Sequence, residues 1–146
     1  PAVSLEFYDN ADNTRGIILP WVTSTAAETG AVNGTIVYNT ADRKVYVMYA
    51  SGWRDLSVDN TGTVTTTLQD SLTDQDTAKV LIGGDPATDT TPGILVLADT
   101  NKAMVLPKVA SPHLNIVNPS PGMMVYDTTK KQLAVFNGTV WSFWKP

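Results

Sequence analysis

The chain has 146 residues, a mass of 15.7 kDa, no cysteine and a net charge of −4 at pH 7. This length allows one domain or two small lobes that share a core, and the missing cysteines exclude disulfides and thiolate metal sites. The acidic balance, without a basic cluster, argues against a nucleic-acid partner because phosphates would be repelled. No apolar run approaches the ~20 residues of a membrane helix, so we expect no membrane insertion.

The first predicted element is a strand at the start of the chain. Residues 2–8 alternate apolar and polar side chains, which places Val3, Leu5 and Phe7 on one face. This strand either pairs within its own chain or adds to the sheet edge of a neighbouring molecule, and the sequence leaves both open. A chain that starts with Pro1 rather than Met is either processed or a fragment. We expect a removed secretion signal, and hence an extracellular or cell-surface location.

The chain then shows an internal duplication. Residues 34–53, GTIVYNTADRKVYVMYASGW, return in altered form as residues 122–141, GMMVYDTTKKQLAVFNGTVW, at a constant offset of 122 − 34 = 88 positions. Upstream the match continues with a slip of one residue, because GIILPWV at 16–22 corresponds to AMVLPKV at 103–109. Self-similarity at a fixed period indicates two copies of one structural unit.

Each copy is predicted to form a small antiparallel β-meander. Apolar and polar residues alternate along its strands, and a polar turn and a glycine-containing turn reverse the chain between them. One tyrosine and one tryptophan of each copy are expected in the core, because a buried aromatic ring contributes a large apolar area. These residues are Tyr38, Trp53, Tyr126 and Trp141. A sugar-stacking platform is the alternative role for them.

A segment rich in Thr and Asp separates the copies. We assign 1–57 to the first β repeat, 58–77 to this connector and 78–146 to the second β repeat. The second copy has a predicted strand at 78–84 with no counterpart in the first, which leaves an open sheet edge there. No amphipathic helix of ~10 residues is found, so the predicted class is all-β, with two related antiparallel meander lobes in a sandwich-like arrangement.

Both copies carry short motifs of one series, and the first copy lacks the part that corresponds to residues 78–84. The second copy supplies Val80, Ile82, Gly83, Leu95, Leu97, Lys102, Leu106, Pro107, Gly122, Tyr126, Asp127, Thr128, Leu133, Phe136, Gly138 and Trp141. The first copy supplies Arg15, Gly16, Leu19, Pro20, Gly34, Tyr38, Asn39, Thr40 and Trp53. In these positions the chain resembles a repeat, V-x-I-G, K-G-x-L-x-P-R, G-x-x-x-Y-N-T and Y-x-G-x-x-W, of Bacteroidota surface proteins and phage tail-fibre proteins. The arginine of that pattern is Trp21 and Lys108 here. The resemblance implies a surface or fibre protein rather than an activity.

Few residues offer chemistry. The single histidine, His113, is expected to be a loop or packing residue. There is no nucleophile elbow and no sign of paired acids in one cleft, so we predict that the protein is not an enzyme and needs no cofactor. No segment has the spacing of a calcium loop. The least unsuitable Ca²⁺ ligands are Asp74 with Asp76, or Asp9 with Asp12, and turn capping is the alternative role.

Four Asp-Ser or Asp-Thr dipeptides match the O-glycan acceptor pattern of Bacteroidota, in which a small or aliphatic residue or Thr follows. Their hydroxyl residues are Ser71, Thr77, Thr90 and Thr128. Three of the four lie in segments expected to be exposed loops, whereas Asp127-Thr128 could instead belong to the turn of the repeat.

Two functions fit these features. The leading hypothesis is a structural subunit of a pilus-like or sheath-like extracellular filament, a homopolymer assembled by strand addition between subunits. The alternative is a glycan- or receptor-binding domain of a phage tail fibre or bacterial adhesin, which would present Trp21, Tyr46 and Tyr49 to surface glycans. Exposed aromatic side chains on one strand face would favour binding, and an unpaired N-terminal strand would favour assembly.

Overall fold

The computed structural model describes residues 3–7, 14–73, 75 and 77–145. The strands are β1 (Val3–Glu6), β2 (Ile17–Ile18), β3 (Trp21–Val22), β4 (Ile36–Asn39), β5 (Lys44–Tyr49), β6 (Gly52–Asp55), β7 (Val80–Ile82), β8 (Leu95–Leu97), β9 (Ala103–Val105), β10 (Lys108–Val109), β11 (Met123–Asp127), β12 (Gln132–Phe136) and β13 (Trp141–Trp144). The helices are two 3-10 turns, Thr25–Ala27 and Gln69–Ser71, and one α-helical turn, α1 (Pro112–Asn115). The predicted all-β class is confirmed, and no helix in the described part of the chain could span a bilayer.

The two copies form two sheets of the same topology. The first sheet has the order β3-β4-β5-β6 and the second has the order β10-β11-β12-β13. In both sheets the first pair of strands is parallel and the other pairs are antiparallel. The registers also correspond, since Trp21 lies opposite Tyr38 and Lys108 lies opposite Tyr126. The duplication in the sequence is therefore a duplication of one sheet.

The turn after the second strand of each sheet is built in the same way. Arg43 has φ 63° and Lys131 has φ 55°, so equivalent residues take the left-handed conformation. Asn39 and Asp127 precede these turns, and the Oδ1 atom of each accepts a 2.9 Å hydrogen bond from the backbone N–H two residues later. A short polar side chain of this kind fixes a turn by replacing a backbone acceptor.

Three further strand pairings involve strands that precede the sheets. β2 pairs antiparallel with β11, with Ile18 opposite Met123 and Ile17 opposite Met124. The start of the first copy thus becomes a strand in the sheet of the second copy. β7 and β8 form a separate parallel pair, and β1 pairs in parallel with β9.

The N-terminal strand β1 lies against its own chain. Its partner is β9, with a register shift between Val3 and Leu5, and Val3, Leu5 and Phe7 are half-buried. This is the within-chain pairing that the sequence left open as one of two alternatives. Addition of these residues to a second molecule stays a prediction.

The core has two parts, one on each face of the second sheet. The cluster between the two sheets contains the buried residues Leu19, Tyr38, Val45, Met124 and Val135. The cluster on the other face contains Val109, Ile116, Met123, Val125, Ala134 and Phe136. The first cluster takes side chains from both copies, which confirms the sandwich-like arrangement.

The four aromatic residues expected in the core differ in burial. Tyr38 is fully buried, whereas Trp53 and Trp141 are half-buried. Trp141 packs on the ring of Phe136, with 5.3 Å between centroids. Tyr126 is 37% exposed, so its expected place in the core is wrong for the single chain. Tyr126 occupies the same position in its sheet as Tyr38. The difference in burial must therefore come from the residues that cover each tyrosine.

Candidate assembly surface

The two copies meet at a junction that uses different surfaces of each. The first copy contributes β2, which lies on the edge of β11 in the second copy. The chain continues this pairing beyond the strand, because the N–H of Leu19 donates to the carbonyl of Gly122 at 3.2 Å. The first copy therefore supplies a strand and the second supplies a sheet edge, which makes the junction head-to-tail.

Tyr38 anchors the first copy in this junction. Its hydroxyl donates to the backbone carbonyl of Asn137 at 2.7 Å. Burial raises the pKa of Tyr38 to about 12, so the hydroxyl keeps its proton and remains a donor near neutral pH. The ring covers Gly122, where an added Cβ would lie 2.9 Å from the Cβ of Tyr38. Only a glycine fits beneath the tyrosine without displacement.

Trp21 makes the second polar contact of the junction. Its Nε1 donates to the carbonyl of Pro121 at 3.0 Å, and its ring lies 6.2 Å from the ring of Tyr38. A half-buried tryptophan that donates to backbone in this way combines apolar area with a satisfied N–H. Trp21 therefore holds the two copies together within the chain.

The Thr- and Asp-rich connector packs over the same junction. The Nδ2 of Asn137 donates to Asp59 Oδ1 at 2.9 Å, and the hydroxyl of Thr63 donates to the carbonyl of Gly138 at 3.1 Å. A Cβ on Gly62 would overlap the backbone of Asn137, so the two segments lie in close contact. The connector thus buries the turn on which Tyr38 docks.

The second copy carries the same row of residues with only a partial cover, because Leu133 packs against the inter-sheet cluster whereas its neighbours in the row are exposed. In the first sheet, Trp21, Tyr38 and Val45 form one row across the strands, and all three contribute to the inter-sheet cluster. The equivalent row of the second sheet is Lys108, Tyr126, Leu133 and Trp144. Tyr126 is 37% exposed and Trp144 is 50% exposed. We call Tyr126, Leu133 and Trp144 the second-copy stripe.

The first copy has its own version of the receiving surface, which in the second copy is formed around Gly122. Gly34 is equivalent to Gly122, with φ 91° against 79°, yet no atom lies within 4 Å of a Cβ placed there. Tyr49 is equivalent to Asn137 and is 44% exposed, whereas Asn137 is 1% exposed. Among the described residues each copy therefore has one surface that is only partly covered, and the internal junction shows what each surface would fit.

The three aromatic residues proposed for glycan stacking do not share one face. Strand alternation places Trp21 and Tyr49 on the inter-sheet side of the first sheet and Tyr46 on the opposite side. The hydroxyl of Tyr46 donates to Asp42 at 2.6 Å, and burial together with this hydrogen bond raises the pKa of Tyr46. Since Trp21 is held in the junction, these residues form no single stacking platform.

The four candidate glycosylation residues are all exposed: Ser71, Thr77, Thr90 and Thr128. The aspartate before Thr128 has another role, because Asp127 is fully buried and accepts hydrogen bonds from the backbone N–H groups of Ser111 and Thr129. That dipeptide is a turn element of the sheet. Glycosylation at the four residues stays a prediction.

Neither the histidine nor the carboxylates form a chemical site in the described part of the chain. His113 is exposed and packs edge-on against Phe143, with 5.6 Å between centroids. The Ca²⁺ candidates Asp74 and Asp76, and likewise Asp9 and Asp12, lie outside the described residues. Among the residues that are described, no three His, Asp or Glu side chains are grouped to hold a metal ion. The absence of enzymatic activity stays a prediction.

One comparison with known proteins bears on this surface. Residues 85–145 match the family model described as phage tail like trimerisation region. No curated protein and no solved structure matches the chain. The matched stretch is less than half of the chain, but it contains strands β10 to β13 of the second sheet and the second-copy stripe. This part of the protein is therefore similar to a phage tail like trimerisation region.

Proposed function

We propose that this chain is a structural module of a tail-fibre-like assembly and that it works as a trimer of identical chains. The observation that carries the proposal is the similarity of residues 85–145 to a phage tail like trimerisation region. The resemblance of both copies to repeats of surface and tail-fibre proteins points in the same direction.

The second-copy stripe supports self-association. Trp144 and Tyr126 are 50% and 37% exposed on the face that is buried in the first copy. Complete burial of a large apolar side chain contributes ~1.5–3 kcal/mol, so two aromatic rings that remain partly exposed on one face would gain free energy from a cover. Exposed aromatic side chains on one face of a sheet are typical of a protein contact.

A closed trimer replaces the open filament that the sequence favoured. A head-to-tail contact gives a ring when the rotation between subunits closes and a fibre when it does not. The similarity to a trimerisation region favours closure after three chains. A tail-fibre-like role would place the protein on the outside of a particle or cell, in agreement with the extracellular location expected from the sequence.

The mass of the native protein tests this proposal. Native mass spectrometry and light scattering should give close to three times 15.7 kDa. A monomer at micromolar concentration, or a ladder of polymers without a dominant trimer, would contradict it.

A pair of variants links the trimer to the stripe. Trp144→Glu places a charge on the stripe and should dissociate the trimer into folded monomers. Val117→Glu is the matched control, because Val117 is 82% exposed outside the stripe and outside the strands. The control should remain trimeric. Equal behaviour of the two variants would rule out the stripe as the contact.

A further inference from the structure

We propose that the junction between the two copies within a chain is repeated between chains. In this arrangement β9 of one chain pairs antiparallel with residues 35–36 of the next, and Tyr126 of the first chain docks on Gly34 of the next. The inference rests on the proposed trimer and adds the surfaces, the residues and the direction of the contact.

The asymmetry of the internal junction is the first step. The first copy donates β2 and Tyr38, and the second copy receives them on β11 and Gly122. In a two-fold arrangement β9 would pair with β4 of the same chain, but β4 has only β3 and β5 as neighbours in the described structure. Each copy has therefore used the strand edge of one half of the contact and kept the strand edge of the other half. The side chains at the remaining edges are half-buried, because Ile36, Met104 and Leu106 pack against the inter-sheet cluster of their own chain.

The receiving half of the first copy is already formed. The N–H of Gly34 donates to Met48 O at 2.9 Å, and the N–H of Gly122 donates to Phe136 O at 2.8 Å, so the two glycine turns have the same backbone. β3 lies opposite Tyr38 and Asn39 only. The edge of β4 at Ile36 thus has no strand beside it among the described residues, whereas its equivalent Met124 lies opposite Ile17.

The donating half of the second copy is also formed. β9 belongs to a two-stranded sheet with β1, so one of its edges has no strand among the described residues. Its sequence AMVLP corresponds to GIILP of the first copy, which places Val105 at the position of Ile18 and Leu106 at that of Leu19. The N–H of Leu106 would donate to Gly34 O of the next chain, as Leu19 donates to Gly122 O.

The aromatic residue completes the contact. Tyr38 is fully buried because the second copy covers it, and its hydroxyl reaches the carbonyl of Asn137. Tyr126 has the same place in its sheet, and in the next chain the equivalent carbonyl belongs to Tyr49. This contact would bury Tyr126 of one chain and would at the same time cover Gly34 of the next chain. Three chains arranged in this way form a ring of six copies in which no donating or receiving half is left over.

The absence of cysteine makes a cross-linking test direct. Ile18 and Met123 lie opposite each other between β2 and β11, and the Leu19–Gly122 hydrogen bond identifies them as a non-hydrogen-bonded pair. The Cα atoms of such a pair are ~4.5 Å apart, which a disulfide can bridge. The equivalent pair between chains is Val105 and Thr35. The test compares the double variants Ile18→Cys/Met123→Cys and Val105→Cys/Thr35→Cys after oxidation.

The two double variants should behave differently on a non-reducing denaturing gel. Ile18→Cys/Met123→Cys should stay a single chain with an internal cross-link, and Val105→Cys/Thr35→Cys should give covalent dimers and trimers. Chains with Thr35→Cys alone, mixed with chains with Val105→Cys alone, should give dimers only. A native trimer without the interchain cross-link overturns the proposed contact and leaves the trimer standing. A protein that is monomeric by native mass overturns the proposed function as well.

Hydrogen exchange gives a second measurement that does not depend on a cross-link. The amides of Ile36 and Leu106 should exchange at least ten-fold more slowly in the trimer than in a Trp144→Glu monomer. The amide of Leu19 is the internal reference and should be equally protected in both. Unchanged exchange at Ile36 and Leu106 would overturn the contact.

Discussion

The two copies of the sheet have the same strand order and register but different surroundings. Tyr38 is fully buried and Tyr126 is 37% exposed, although both occupy the same position in their sheets. Gly122 lies beneath a tyrosine, and its equivalent Gly34 faces open space. Because the local backbone is alike, the neighbour and not the motif decides the burial of these residues.

The two sheets also differ on the faces that point away from the inter-sheet cluster. The second sheet carries a cluster on this side that includes Ile116, just after α1, with Trp141 and Phe143 packed against it. The first sheet has Trp53 on this side, and Trp53 belongs to neither core cluster. The second copy thus has its own core in addition to the shared one. It is the copy whose sequence matches a known family.

The largest expected effect is the difference in stability between the variants Tyr38→Ala and Tyr126→Ala. Removal of the buried Tyr38 ring should lower the free energy of unfolding by about 3–5 kcal/mol, because it leaves a cavity and an unpaired Asn137 carbonyl. Tyr126→Ala should cost under ~1 kcal/mol in the monomer and should weaken the trimer instead. Urea unfolding at low protein concentration measures the first effect, and native mass measures the second. Equal losses of monomer stability would show that the two positions are equivalent after all.

The next comparison is Trp141→Ala with Trp53→Ala. Trp141 stacks on Phe136 within a cluster, so its loss should destabilise the chain by about 3 kcal/mol. Trp53 is half-buried without a place in a cluster, and its loss should cost about half as much. Thermal and urea unfolding of both variants give the difference. A larger effect at Trp53 would contradict the account of the second core.

The third comparison is Gly122→Ala with Gly34→Ala. Both positions have positive φ, 79° and 91°, so alanine costs about 1–2 kcal/mol at either. Gly122→Ala should cost more than this in the monomer, because its Cβ would also press on Tyr38. Gly34→Ala should add no further cost in the monomer, but it should weaken the trimer. The matched backbone makes each variant the control for the other.

The smallest expected effect is on the stability of the protein at low pH, and it involves Asp127. Burial alone would raise the pKa of Asp127, but hydrogen bonds from the backbone of Lys130, Ser111 and Thr129 outweigh it and lower the pKa below its ordinary value. A lowered folded-state pKa stabilises the protein above the unfolded-state pKa of about 4, and this contribution is lost as the pH falls through the folded-state pKa. Asn39 holds the equivalent turn without a charge.

Asp127→Asn should therefore lower the stability at pH 7, where the charged carboxylate contributes, and should remove the loss of that contribution below about pH 4. The measurement is the midpoint of thermal unfolding between pH 2 and pH 7. The reciprocal variant Asn39→Asp should make the first turn acid-sensitive in the same way. If neither variant changes the pH dependence, the carboxylate does not hold the turn in its charged form.

Much of the fold follows from the sequence alone. The 88-residue offset, the alternation along β4, β5, β11 and β12, and the polar turns before Arg43 and Lys131 define two equal meanders. These features are local, because side-chain alternation and turn chemistry act over a few residues. A sequence that repeats them must repeat the structure they specify.

The tertiary structure decided the features that depend on distant partners. The pairing of β2 with β11, the parallel first strand of each sheet and the packing of the connector on Asn137 were not predicted. The β-branched run at 63–68 forms no strand. The edge on which a short strand pairs depends on which distant backbone groups remain free, and no local pattern encodes that. Equivalent motifs therefore gave a buried Tyr38 and an exposed Tyr126, because the second copy covers Tyr38 and no described part of the chain covers Tyr126 in the same way.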